Sequence, residues 1–204
     1  TAYIPFTMHV RTSTNGTATR QVTGTVAVRI AQTMNFSDVK AGDYFYDSVK
    51  WAVGQKITNG TSATTFSPYK TCTRAEIVTF LWRAAGSPTP TSSRNPFTDV
   101  KSSMGSDFYN AILWASQKGI TAGTTATTFS PNATCTRAQI VTFLYRYAGK
   151  PSGNYANPFN DVNQTEHGAY YSAILWAVGK GITTGTTAST FSPSATCNRA
   201  EAVT

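Results

Sequence analysis

Three arginines recur in nearly the same setting: Arg74 in T-C-T-R-A-E, Arg137 in T-C-T-R-A-Q and Arg199 in T-C-N-R-A-E. In each copy a Thr or Asn stands immediately before the arginine and a Glu or Gln two places after it. Thr73 with Glu76, Thr136 with Gln139 and Asn198 with Glu201 therefore read as capping boxes, the signature of a helix start. That register puts each arginine at the first helical position, where the dipole is positive and a cation is mildly unfavourable unless an anion arrives. A guanidinium beside unpaired helix N–H groups is a simple receptor for a carboxylate, which it grips with two parallel hydrogen bonds. A solvated surface arginine is the bland alternative, and it fits less well a placement shared by all three copies.

Other residues repeat with the arginines. Asp38, Asp99 and Asp161 sit in F-x-D-V, where a carboxylate either accepts hydrogen bonds from a ligand's hydroxyls or caps a turn. Trp82 and Tyr145 occupy equivalent places on the second helix and either stack on a ligand or pack in the core. Gly60, Gly123 and Gly185 serve a turn and could also offer backbone N–H groups to a ligand. Trp51, Trp114 and Trp176 are expected in the core. Cys72, Cys135 and Cys197 read as small buried hydrophobes; the C-x2-C pairing of structural zinc is missing, and no metal or cofactor is expected.

Catalysis finds little support. His9 and His167 are the only histidines and neither repeats with the motifs, so a triad or a histidine-rich metal site is not expected. The nine acids fall mainly as one F-x-D-V aspartate per copy rather than as glycosidase pairs, and no Gly-rich phosphate loop occurs. We expect no enzyme. The net charge of +8 admits a polyanionic partner, but the basic residues are scattered and carry no nucleic-acid motif, which argues against nucleic acid. No run approaches the roughly 20 apolar residues of a membrane span, so no membrane insertion is expected. The first residues lack the regions of a signal peptide, as in the mature form of an exported chain. Three cysteines, an odd number, cannot all pair internally. Charged residues make up only 13% of the 204, and Thr, Ser, Asn and Gly fill the gap with a neutral polar surface.

The elements that must position these residues follow from the repeat. Phe36, Phe97 and Phe159 open three units, Trp51, Trp114 and Trp176 recur within them, and Cys72, Cys135 and Cys197 keep the same step. Within the first unit Phe45, Val49, Ala52 and Val53 share one helical face, with Asp43 a candidate N-cap and an end near Ile57. Asn59-Gly60 and Ser67-Pro68 predict an ordered loop over 58–71, pinned by a buried Phe66. The second helix starts at the capping box and ends at Gly86 in copy one and Gly149 in copy two. In copy three the second helix is short by about two turns where the sequence stops at Thr204, as in a truncated chain. Residues 1–34 differ: two Thr- and Val-rich strands, Tyr3–Thr12 and Thr17–Ile30, flank Asn15-Gly16, a strong hairpin signal. A lone hairpin is marginal in water, so it must pair with something else. The resulting division is a hairpin segment at 1–34 and repeats at 35–90, 91–153 and 154–204.

F-x-D-V, W-A-V, G-I-T-x-G-T, T-F-S-P and T-R-A-E, in fixed order in three successive copies, resemble the S-layer homology (SLH) family over about five-sixths of the chain. The likeness implies a mainly α, pseudo-threefold body of three helix-loop-helix repeats, here preceded by the short β-hairpin. It also implies a non-catalytic, extracellular anchor at the bacterial surface. Grooves between repeats would bind secondary cell-wall polysaccharide carrying pyruvate ketals, with the T-R-A-E arginine as the leading ligand contact. In this sequence A-T-T-F, A-T-T-F and A-S-T-F replace the family's acidic-Gly element before the loop Phe, and the cysteines replace an aliphatic residue. The alternative is a structural subunit of a self-assembling surface layer or filament, self-associating by strand exchange through residues 1–34.

Overall fold

The computed structural model describes residues 34–204 and, before them, the backbone of strands β1 (Ala2–Arg11) and β2 (Thr19–Val28). The strands pair antiparallel as a two-stranded sheet, with Ala2 opposite Val28 and Arg11 opposite Thr19. The expected turn at Asn15-Gly16 lies outside the described residues. The strand segment and residues 35–204 form separate compact units.

Each repeat contributes two helices in the order the apolar spacing predicts. The first helices are α1 (Tyr46–Gly54), α3 (Ser106–Gln117) and α5 (Gln164–Gly179); the second are α2 (Arg74–Ala84), α4 (Arg137–Tyr147) and α6 (Arg199–Val203). All three capping boxes form, with both the side-chain and the backbone bond present. Gly86 and Gly149 follow the C-caps of α2 and α4 at φ of 86° and 83°, the left-handed turn that glycine supplies without a Cβ penalty. Asp43 does not cap α1. Its carboxylate accepts from the Lys40 N–H at 2.7 Å and holds the preceding turn, and α1 opens three residues later without a side-chain cap.

The loops between the helices are fastened by the F-x-D-V aspartates. Asp38 Oδ1 and Oδ2 accept from the Phe66 and Ser67 N–H groups at 2.8 and 2.7 Å; Asp99 does the same for Phe129 and Ser130, and Asp161 for Phe191 and Ser192. Ser67, Ser130 and Ser192 all lie at positive φ, a conformation that costs a side-chain-bearing residue roughly 1–2 kcal/mol. Two charge-assisted hydrogen bonds per aspartate offset it. The fastening drives Phe66, Phe129 and Phe191 into full burial. At the other end of the loop, a Cβ on Gly60 would stand 2.5 Å from Thr65 O and 2.6 Å from the Phe36 ring, so both φ and space exclude any other residue there.

The three repeats close on one another head to tail. The Cys72 N–H donates to Cys197 O, Cys135 N–H to Cys72 O and Cys197 N–H to Cys135 O, at 2.9, 2.9 and 3.3 Å, so one residue from each repeat joins a ring. The helix starts are tied in the same sense. Arg74 and Ala75 N–H groups donate to Ala133 and Pro131 carbonyls, Arg137 and Ala138 to Ala195 and Pro193, and Arg199 and Ala200 to Lys70 and Pro68. Each second helix packs on the first helix of the following repeat: α2 on α3, α4 on α5, α6 on α1. Trp114 and Trp176 are buried as expected, whereas Trp51 is 56% exposed. Trp51 faces an apolar groove shared with Ala202 and Val203 at the end of the five-residue α6, and α1 has less helix to pack against than α3 and α5 have.

Removing the Asp99 carboxylate with Asp99→Ala should cost about 2–4 kcal/mol, since two hydrogen bonds to a charged acceptor are lost; a thermal melt followed by circular dichroism should fall by roughly 5–10 °C. The three cysteines are free and buried, and burial pushes the Cys72 and Cys135 thiols up to about 12. Iodoacetamide near pH 8 should therefore leave the folded chain unmodified by mass spectrometry and alkylate all of its thiols in urea.

Candidate functional site

The three arginines are placed identically by the head-to-tail closure. Arg74 Nε donates to Phe129 O at 2.9 Å, Arg137 Nε to Phe191 O at 2.8 Å and Arg199 Nε to Phe66 O at 2.8 Å, each crossing to the next repeat. The guanidinium lies over the ring of the same phenylalanine, with Cζ 4.8, 4.9 and 4.8 Å from the centroids of Phe129, Phe191 and Phe66. Arg74 also meets Phe143 at 5.4 Å and Arg199 meets Phe80 at 5.3 Å. Arg74 and Arg199 are each only 3% exposed. Burial lowers the pKa of both, partly offset by nearby thiols and carboxylates.

The expectation of free helix N–H groups beside each arginine needs correcting. The first two N–H groups of α2, α4 and α6 bond to carbonyls of the next repeat, and the third bonds to the cap side chain. Backbone donors there are spent on closing the ring. That leaves the outer guanidinium nitrogens, of which Arg137 Nη2 donates to Thr183 Oγ1 at 3.4 Å and Arg199 Nη2 to Thr58 Oγ1 at 3.1 Å, while Arg74 Nη2 has no partner.

Cavities open beside each guanidinium. One of about 320 Å³ is lined by Arg74 of the first repeat, by Thr121, Gly123 and Thr142 of the second with Arg146, and by Tyr170 of the third. Its counterpart of about 260 Å³ takes Arg199 from the third repeat, Thr58, Gly60, Thr79 and Arg83 from the first, and Phe108 from the second. A third, of about 340 Å³, holds Arg137 with Thr183 and Glu201 and is bounded by the end of α6. Beside it Ile182 is 44% exposed, while its equivalents Ile57 and Ile120 are buried. Within each groove the guanidinium is flanked by threonine hydroxyls, a neutral hydrogen-bonding lining suited to a polyhydroxyl ligand.

The other predicted residues divide. Gly60, Gly123 and Gly185 sit at φ of 80°, 86° and 87°, and the first two line their grooves, but the N–H groups of all three already donate to Thr58, Thr121 and Thr183 hydroxyls. Asp38, Asp99 and Asp161 have both oxygens engaged by loop N–H groups; burial raises the Asp161 pKa, but these bonds outweigh it and hold it below the ordinary value. Trp82 is buried with its indole N–H on Pro88 O at 2.8 Å, which turns its ring to the core. Tyr145 is half-buried, packs its ring 5.5 Å from that of Trp176, and lines a separate cavity with Tyr155 and Tyr171.

Two groove residues were missed from sequence. Arg83 Nη1 donates to Ile57 O at 3.3 Å and its Nη2 pairs with Asp107 Oδ2 at 2.7 Å; Arg146 Nη1 donates to Ile120 O at 3.2 Å. Their signal was present in F-L-W-R and F-L-Y-R, where the arginine recurs in the two copies that contain this stretch.

Comparison with known proteins agrees with this architecture. The family model of the S-layer homology domain matches residues 35–78, 96–141 and 158–203, more than half of the chain. An S-layer protein of Bacillus thuringiensis subsp. finitimus is 30% identical over 184 residues, 89% of this chain and 22% of that protein. The S-layer protein sap of Bacillus anthracis is 28% identical over the same shares of the two chains, and an endoglucanase of Bacillus sp. (strain KSM-635) is 37% identical over 111 residues, 54% of this chain and 11% of the enzyme. The chain thus spans about a fifth of the length of these S-layer relatives. It is an extracellular, cell-wall-associated protein of the cell surface. With three tandem matches laid on the three repeats of the fold, the chain belongs to the S-layer homology family.

Proposed function

We propose that this chain is a non-catalytic anchor that holds the protein carrying it to the cell wall by binding an acidic, pyruvylated secondary cell-wall polysaccharide in the grooves between its repeats. The observation that carries this reading is a guanidinium set at the floor of each groove and surrounded by threonine hydroxyls. A planar fork meets a ketal carboxylate with two hydrogen bonds, while hydroxyl donors and acceptors accommodate the sugar. Pyruvate ketals make the glycan anionic, and the net charge of +8 favours its approach. The match to only 11% of the endoglucanase fits an anchoring segment that can be joined to an enzyme, with the catalysis residing elsewhere in that protein. Among the described residues no helix is long and apolar enough to cross a membrane.

A second reading rests on the strand segment. β1 and β2 form a sheet of only two strands, and such a sheet is stable only when further strands or another layer join it. Strand addition from a neighbouring copy would supply them and join anchored copies laterally. Analytical ultracentrifugation of the chain without glycan should then show association that is lost when residues 1–34 are deleted; a monomer at all concentrations would reject it.

For anchoring, the chain should sediment with untreated cell-wall sacculi and not with sacculi stripped of polysaccharide by hot acid. Arg146→Ala, which leaves the bonds between repeats in place, should weaken that binding by about tenfold, the scale of one charge-assisted hydrogen bond, with little change in the thermal melt. Equal sedimentation with both wall preparations would refute the reading.

A further inference from the structure

Resting on the anchoring reading, we infer that the groove holding Arg74 and Arg146 is the acid-binding groove of this chain, and that in the equivalent groove Arg199 and Arg83 are already paired with carboxylates of the protein. The two cavities are built from the same positions of successive repeats and differ at two decisive places. In the Arg199 groove, Glu76 Oε1 lies 3.7 Å from Arg199 Nη1 and 3.4 Å from Lys70 Nζ, and Asp107 Oδ2 lies 2.7 Å from Arg83 Nη2. Arg199 Nη2 further donates to Thr58 Oγ1 at 3.1 Å. Each of the three cations of that groove thus has an anionic partner, Arg199 and Lys70 sharing Glu76.

In the Arg74 groove the equivalents of Glu76 and Asp107 are Gln139 and Ala169, and both line the cavity. Gln139 still closes the capping box of α4, so the helix start is kept while the negative charge is removed. Arg146 loses its counterpart of the Asp107 pair. Arg74 Nη2, fully buried, has no hydrogen-bond partner, and it is the sole buried side-chain nitrogen or oxygen among the described residues left so. A buried guanidinium N–H without an acceptor is costly, and natural structures rarely retain one unless something else completes it. Asp99 adds its charge from behind the loop, as Asp38 does for Arg199, but both of its oxygens serve Phe129 and Ser130. Asp99 therefore does not separate the two grooves. The Tyr170 hydroxyl, where the other groove has Phe108, adds a neutral donor to the same cavity.

The ligand chemistry this fits is a single acidic group on a sugar, gripped by Arg74 Nη2 and Arg146 with hydroxyl help from threonine and Tyr170. A carboxylate and a phosphate both satisfy it.

The test is calorimetric titration of the full chain with a monosaccharide bearing a pyruvate ketal, with its neutral methyl ester, and with inorganic phosphate. Saturable binding of the ketal acid or of phosphate at one dominant site, and none of the ester, is expected; whichever acid binds more tightly identifies the carboxylate or phosphate source. Gln139→Glu with Ala169→Asp should reduce that affinity by about tenfold or more. The reciprocal Glu76→Gln with Asp107→Ala should add a second site, raising the stoichiometry. Thermal melts of both double variants confirm folding. An affinity unmoved by Gln139→Glu with Ala169→Asp, or no binding of either acid by a chain that still sediments with untreated walls, overturns the assignment while anchoring stands. Failure to sediment as well removes the anchoring reading itself.

Discussion

The ring of backbone hydrogen bonds among Cys72, Cys135 and Cys197 is the constraint on which the rest of this fold depends. Helices begin with unpaired N–H groups, and a helix start brought into a protein interior must find acceptors for them. Here each repeat solves the problem with its neighbour: the carbonyls of Pro131, Pro193 and Pro68 and those two residues further on receive the first N–H groups of the preceding second helix. A single repeat therefore cannot satisfy its own helix start or bury its own apolar face. Three of them can, because the third returns to the first.

The same closure explains why one arginine per repeat has two faces. Its Nε is committed to a phenylalanine carbonyl of the next repeat and its plane lies over that residue's ring, which fixes the side chain despite the entropy of a long chain. The outer nitrogens face the groove, where Arg199 meets Thr58 and Glu76, Arg137 Nη2 meets Thr183, and Arg74 Nη2 meets no protein acceptor. Desolvation makes a charge in this place expensive unless it is compensated. The two grooves compensate it differently: at Arg199 the Glu76 carboxylate lies against the guanidinium, whereas at Arg74 only the phenylalanine rings and the more distant Asp99 charge do so and Nη2 is left without a partner. Threefold repetition in the backbone thus carries an asymmetric electrostatic pattern, set by a Glu-to-Gln and an Asp-to-Ala difference between copies.

Much of the local structure was legible in the residues. Capping boxes at Thr73, Thr136 and Asn198 and the glycine stops at Gly86 and Gly149 follow from rules that act within a few residues. Local rules fail where the deciding partner is distant in sequence. Asp43 looked like a cap for α1 because its competing bond to Lys40 leaves no trace in the apolar pattern. Trp51 shares its motif with Trp114 and Trp176 but not their burial, since burial depends on how much of the second helix of the preceding position is there to cover it. Arg83 and Arg146 repeat plainly, yet a terminal-turn arginine has a ready local reading at the helix dipole, and its place beside a groove depends on a loop well before it in the chain.

What the sequence by itself determined is the repeat unit, its two helices and intervening loop, the family, and an arginine at the first position of each second helix. Spacing, capping and periodicity are short-range properties, and each copy states them independently. Only the tertiary structure decided that the helix N–H groups are consumed in closing the ring, that each groove draws residues from all or most of the repeats, and which cations are already paired. Those facts depend on which surfaces of three similar units come to face each other, and charge compensation is settled by atoms a few ångströms apart that lie tens of residues apart in the chain.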